Sequence, residues 1–243
     1  MFETLLVLDG APIELDAHLE RLRSSVRELY GAEPPAALSA LLRERASSLP
    51  LGRLRVTLAP AAGGVLRADS VATAIEPDEP FPSWDRAITL RALTIDGGLG
   101  AHKWADRGAL ARIEAHEPKG SLPLVLDRGG EVLEASRANV FAIENGVLVT
   151  PAADGRILPG IARARVIEAA RSLGLDLREG TLDVGRLGAA DEAFLTGSVR
   201  GVEPVRSVGT AELEPPGEAA AAISAELRRS WLGVDTIDAV PAP

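Results

Sequence analysis

Apolar positions along the chain change period several times, and each change marks an element. "FETLLVLDGAPIEL" (2–15) sets two apolar segments around Asp9-Gly10 and predicts a β-hairpin. In "DAHLERLRSSVRELYG" (16–31), Leu19, Leu22, Val26 and Leu29 recur at helical spacing. Asp16 is the expected N-cap there, and Gly31 the stop. A second helix is expected within 35–49, then strands in 52–64 and 67–77 separated by a glycine-containing turn, and another strand over 86–93. "DEPFPSW" (78–84) carries two prolines and reads as a connector.

Gly97, Gly98 and Gly100 interrupt the pattern in "TIDGGLGAHK" (94–103), so the domain boundary is placed there, giving 1–95 and 96–243. A helix over roughly 105–117 comes next. "SLPLVLDRGGEVLEASRANVFAIENGVLVTP" (121–151) is a run of short apolar segments broken by "DRGG" and "ENG", which predicts a meander. "PGIARARVIEAARSLG" (159–174) has proline at its start and glycine at its end, the asymmetry of a helix. Strands at 191–198 and 202–209 and a closing helix within 215–233 complete the pattern, and 234–243 is expected to fray.

Composition narrows the class. The chain has 243 residues and is 46% hydrophobic, enough for a packed core. A net charge of -9 argues against nucleic acid or an anionic membrane as the main partner. The absence of cysteine excludes disulfides and thiolate chemistry. The three histidines, His18, His102 and His116, have no metal-ligand spacing. The start "MFETLLVLDG" lacks a basic segment followed by an apolar one, and no apolar run approaches bilayer length. These features give the expectation of a cytoplasmic protein.

Lysine is nearly absent: of 26 basic residues only Lys103 and Lys119 are lysine. Arginine stays protonated, whereas a lysine amine can lose its proton and form an imine with an aldehyde or ketone. Lys103 lies in "GLGAHKWADR", outside any surface charge run, and is the first candidate for chemistry, although a solvated lysine would read the same. The helix start "LPGIAR" (158–163) exposes unpaired amides that favour phosphate, with Gly160 allowing an anion to reach Ile161 and Ala162. Taken alone it is also an ordinary helix start. "LTGSVRG" (195–201) puts Gly197 and Ser198 after a strand, a second oxyanion corner or simply a turn. Arg21 is either a phosphate clamp or a solvated side chain. Glu134 closes a mainly apolar strand, where a buried carboxylate needs a partner and an outward one does not. An amine, an isolated carboxylate and several anion corners together match one cofactor, an aldehyde with a phosphate and a pyridine nitrogen.

From Lys103 onward the chain resembles the class IV aminotransferases, the fold-type IV pyridoxal-phosphate enzymes. The motifs "AHKWADR", "LDRGGEVLEASRANVFAIENGVLVTP", "GRILPGIARARVIEAARSLG" and "ADEAFLTGSVRGVEPVRSVG" occur in family order, and upstream "FETLLVLDGAPIELDAHLERL" is similar to the family's "FET…HLxRL" segment. The resemblance implies an α/β (α+β) fold of two domains, like that of D-amino-acid aminotransferase, with pyridoxal 5′-phosphate in the cleft of a homodimer. It implies that Lys103 forms the Schiff base and moves the substrate α-proton, and that Glu134 sits against the pyridine nitrogen. Arg21, the amides of Ile161 and Ala162, and Ser198 would grip the phosphate. The backbone near Val199 and Arg200 would face the substrate carboxylate. Asn139 and Phe141 would shape the strand, and Asp106 or Arg107 would help orient the cofactor.

Two departures bear on the substrate side. Family members usually carry a "YGDGvFET" segment, and here Met1 directly precedes "FET". Transaminases often have a tyrosine five residues after the lysine, and position 108 is glycine. Transamination between an amino acid and a 2-oxoacid is the leading expectation. The alternatives are 4-amino-4-deoxychorismate lyase chemistry, to which "KWADR" is closer, and a non-catalytic dimeric relative.

Overall fold

The computed structural model describes residues 1–61 and 65–233; the expected fraying of 234–243 and part of the glycine-containing turn lie outside the described residues. The N-terminal hairpin forms as the sequence predicts. Strand β1 (Phe2–Leu8) pairs antiparallel with β2 (Ala11–Pro12), and both turn residues take positive φ, 48° at Asp9 and 75° at Gly10. Two positive φ values give the turn a twist that matches the strands it joins.

Helix α1 (Leu15–Tyr30) does not use Asp16 as its cap. Glu14 occupies the cap position in a left-handed conformation, and Asp16 sits in the first turn. The Glu14 carboxylate is directed to the Arg165 guanidinium at 2.6 and 2.8 Å, so it caps nothing and instead ties this turn to the far half of the chain. Gly31 ends the helix as expected, with φ 59° and its N–H donating to the Arg27 carbonyl.

Helix α2 (Leu38–Ala46) and strands β3 (Leu51–Pro60) and β4 (Leu66–Ala74) complete a four-stranded antiparallel sheet in the order β2-β1-β3-β4. Along β3 buried and exposed positions alternate, so Leu54, Val56 and Leu58 face the two helices and Arg53 and Arg55 face outward. Leu22 and Val26 of α1 and Leu42 of α2 meet them, each fully or almost fully buried. Each such side chain contributes about 1.5–3 kcal/mol of apolar transfer.

The second sheet has nine strands. The first is β5 (Ile88–Thr94), which pairs in parallel with both β6 (Ser121–Leu126) and the later strand β12 (Gly201–Val208). The sheets therefore change over in 75–87, and β5, on the N-terminal side of the expected boundary, is hydrogen-bonded into the second sheet. Between β5 and β6 runs the crossover that parallel pairing requires, containing the glycine stretch, Lys103 and helix α3 (Gly108–His116). Strands β7 (Val132–Ala135), β8 (Asn139–Glu144) and β9 (Val147–Thr150) follow, but not as the expected meander. β6 pairs with β7 and β8 with β9, while the other neighbour of β8 is the later strand β11 (Glu192–Gly197). The run is therefore two hairpins, joined by an isolated bridge between Ala135 and Ala138. Helix α4 (Ile161–Ser172), strand β10 (Leu177–Glu179), helix α5 (Val184–Gly188), strands β11, β12 and β13 (Ala211–Glu212), and helix α6 (Glu218–Leu232) close the chain. The order is β10-β9-β8-β11-β12-β5-β6-β7, with β13 beside β12.

Strand β8 shows why this segment reads as an unbroken apolar run. Val140 and Ala142 face one core with Leu124 and Leu195, while Phe141 and Ile143 face the core under α4 and α6. Both faces are covered, so no polar alternation is possible. Phe141 stacks on Phe194 of β11 with ring centroids 5.2 Å apart.

Candidate active site

Where the two sheets meet, the described residues enclose a cavity of about 330 Å³. That is within the ordinary range for a small-molecule site. Lys103, Glu134, Arg21, Ile161, Ala162 and Ser198 all line it. These residues come from the crossover loop, β7, α1, the first turn of α4 and the end of β11, so elements far apart in sequence converge on one space.

The loop before Lys103 is packed in place. Gly98 has φ 72°, and a Cβ there would lie 2.2 Å from the Arg156 carbonyl oxygen, so only glycine fits. Gly100 donates to the same carbonyl at 3.1 Å, and the Lys103 carbonyl accepts from Phe2 N at 3.0 Å. The Lys103 Nζ stands 5.0 Å from the centroid of the Phe2 ring. Lys103 is half-buried at the cavity wall, and this burial lowers its pKa from 10.5 to about 8; Glu3 opposes the fall, and Arg21 and Arg107 add to it.

Glu134 is 4% exposed, which settles its orientation as inward. Leu158 N donates to its two oxygens at 3.2 and 3.4 Å, and Asn139 Nδ2 to one at 3.4 Å. Burial raises its pKa to about 8, against the opposing pull of the Leu158 amide, Lys103 and two arginines. Asn139 also donates to the Leu158 carbonyl at 3.0 Å, and a Cβ on Gly160 would lie 2.0 Å from Asn139 Oδ1. The glycine of "LPGIAR" is thus required by the approach of Asn139.

Arg21 is held from several sides. Its Nε and Nη2 donate to Glu3 at 2.9 and 2.6 Å, and Nη1 donates to the Pro159 carbonyl at 2.9 Å. Glu3 also meets His18 Nδ1 at 2.7 Å. Burial would raise the Glu3 carboxyl, but the His18 hydrogen bond and the Arg21 charge outweigh it and hold its pKa at about 2. Burial lowers that of His18. A fixed guanidinium therefore stands beside the first turn of α4, which has no side-chain cap at Gly160. An unsatisfied helix start next to a fixed arginine is an anion receptor.

Two expected residues fall outside the cavity. Val199 packs against the core under α4 and α6, and Arg200 pairs with Glu203 at 2.7 Å. Sequence reasoning also left out Ser136 and Thr196, both cavity-lining, whose buried hydroxyls have no hydrogen-bond partner. Thr196 immediately precedes the Gly197-Ser198 pair already singled out, and that adjacency was its signal. The Glu3 and His18 contacts lay within "FET" and "HLxRL", which show no partner for Arg21 until the strand and helix pack.

The family model of amino-transferase class IV matches residues 1–208, and the chain belongs to that family. A probable branched-chain-amino-acid aminotransferase of Thermotoga maritima is 37% identical over 120 residues, covering 46% of this chain and 44% of that protein. The chain thus spans less than half the length of that relative. Aminodeoxychorismate lyase of Bacillus subtilis is 27% identical over 226 residues, covering 86% of this chain and 77% of the lyase. Among solved structures, 4-amino-4-deoxychorismate lyase of Pseudomonas aeruginosa superposes with TM-score 0.80 at 26% identity, covering 97% of this chain and 91% of the lyase. The expected fold is the one observed. No helix among the described residues is long and apolar enough to cross a membrane.

Proposed function

We propose that this protein is a pyridoxal-phosphate-dependent aminotransferase that moves an amino group between an amino acid and a 2-oxoacid. One observation carries the reading: a single cavity holds a desolvated lysine amine, a buried carboxyl and an anion-receiving helix start. Pyridoxal 5′-phosphate, when bound, supplies an aldehyde for the amine and an electron-withdrawing ring. The donor set fits that group, because Ser136 and Thr196, whose buried hydroxyls have no partner, line the same cavity as the fixed guanidinium. Arg21, the amides of Ile161 and Ala162, and the Thr196 and Ser198 hydroxyls would hold the phosphate. Glu134 would meet the ring nitrogen, and Leu158 N and Asn139 keep its carboxyl oriented.

Lys103 does the chemistry in this reading. With a pKa of about 8, roughly a tenth of its amine is unprotonated at pH 7. At its ordinary value the fraction would be about 300-fold smaller. The Nζ can therefore act as a nucleophile and then accept and return a proton. Burial favours the neutral Glu134 carboxyl, and a cation placed against it would favour the carboxylate.

Borohydride reduction of the loaded protein, followed by peptide mass analysis, tests the assignment. Hydride trapped at Lys103, together with turnover of an amino-acid/2-oxoacid pair, is the expected result. A colourless protein that gains no visible band with added cofactor would overturn it.

The lyase is the second reading, favoured by Gly108 and by lyase relatives that cover most of the chain. Pyruvate release from aminodeoxychorismate, without amino transfer to any 2-oxoacid, would select it. A cytoplasmic homodimer belongs to the same proposal. Trp104 and Ile113 are exposed large apolar residues that also line the cavity, and a second copy would shield them.

A further inference from the structure

The cavity contains more positive charge than its own residues neutralise. Three arginines line it: Arg21, Arg107 and Arg137. Arg21 is committed to Glu3 and to the Pro159 carbonyl. The Arg137 side chain is 63% exposed and lies 3.6 Å from Glu114. Arg107 differs from both. It is half-buried, its Nη2 donates to the Ser136 carbonyl, and it has no ion-pair partner among the described residues. Glu114 and Glu134 act on it only at longer range. The acidic residue beside it in sequence, Asp106, is exposed and accepts from Gly108 N instead.

A desolvated guanidinium is costly unless an anion completes it. The carbonyl of Ser136 fixes its plane without neutralising it. Ser136 lines the same cavity, and its buried hydroxyl has no partner and so is free to turn to a ligand. Meanwhile Val199 and Arg200, where the substrate carboxylate was expected, do not line the cavity.

We propose that Arg107 is the receptor for the substrate's amino-acid carboxylate, with Ser136 as a supporting donor, so that the wall between α3 and β7 orients the substrate. The proposal rests on the aminotransferase or lyase reading of Lys103. Arg107 follows Lys103 by four residues in the same loop, so one short segment would carry both the reacting amine and the group that aligns the substrate against it.

The test uses cofactor-loaded wild type, R107M and R107K, titrated with 2-methylalanine, which keeps the carboxylate but has no α-hydrogen, and with its amide. The visible band and calorimetry report binding. Loss of a charge-assisted pair predicts roughly 10- to 100-fold weaker carboxylate binding in R107M. Partial recovery is expected in R107K, with amide binding unchanged in all forms. Cofactor affinity and band position should be the same in wild type and R107M. Equal carboxylate affinity in wild type and R107M would overturn the proposal. A displaced band or lost cofactor with carboxylate affinity intact would overturn it too, since Arg107 would then serve the cofactor. Failure of the parent reading is separate: it appears as a wild type without a visible band, and calorimetry with the carboxylate and the amide on that protein still judges Arg107.

Discussion

Replacing Glu3 with Gln should loosen the cavity through Arg21, and its size follows from the contacts. Glu3 is 2% exposed and receives two hydrogen bonds from Arg21 and one contact from His18. Its carboxyl pKa falls from 4.5 to about 2. At about 1.4 kcal/mol per tenfold change, that fall corresponds to about 3 kcal/mol of stability carried by the ionised form. The sign is that of a depressed acid. The contribution is complete above pH 4.5, declines as pH falls towards 2 and is absent below it. Urea unfolding of wild type and E3Q across pH 7 to pH 2 measures the difference between them. A gap of about 3 kcal/mol at pH 7 that closes between pH 4.5 and 2 is expected. In parallel, E3Q should lose affinity for the phosphate-bearing cofactor, because Arg21 is freed from its position. A gap independent of pH, or an E3Q protein as stable as wild type at pH 7, would refute the reasoning.

Further substitutions probe the rest of the site. K103R keeps a positive charge but removes the only amine in the cavity that can deprotonate near neutrality, so turnover and borohydride trapping should both vanish; residual trapping at this peptide would show another nucleophile. E134A strips the acceptor from Leu158 N and Asn139, which should cost about 1–3 kcal/mol in thermal or urea unfolding and slow α-proton exchange strongly while the cofactor stays bound. Unchanged exchange would remove Glu134 from the chemistry. G160A must displace Asn139, since the new Cβ would lie 2.0 Å from its Oδ1. Cofactor affinity, read from the visible band, should fall in G160A, and wild-type affinity would mean that the α4 start is not the phosphate end.

How much of this was readable in the chain depends on the range of the interactions involved. Local signals held: Asp9-Gly10 gave the hairpin, and Pro159 with Gly174 bracketed the helix that became α4. Asp16 failed as a cap because Glu14 answers to Arg165, a partner more than a hundred residues away that no local rule can see. Strands β10 and β13 and helix α5 went unseen because they are too short to show a period. Lys103 and Glu134 stood out in the sequence as candidates, and the fold brings both to one cavity; whether Glu134 pointed in or out was not legible until β7 had both faces covered. Arg21 could be read as a clamp or a solvated charge, and only the folded contact with Glu3 separates the two. Val199 and Arg200 were proposed for their backbone, and the turn's place after β11 was legible, but family order does not say which residues of that turn line the cavity; Gly197 and Ser198 do.

The bond from Phe2 N to the Lys103 carbonyl and the one from Arg21 to the Pro159 carbonyl join the first strand and helix to the rest of the chain at two walls of the cavity, the Lys103 loop and the start of α4. Neither half on its own could present a finished pocket. Acquisition of the vitamin-derived chromophore should therefore come late in refolding, after the hairpin and α1 have docked, and the growth of visible absorbance would time that docking as a built-in reporter.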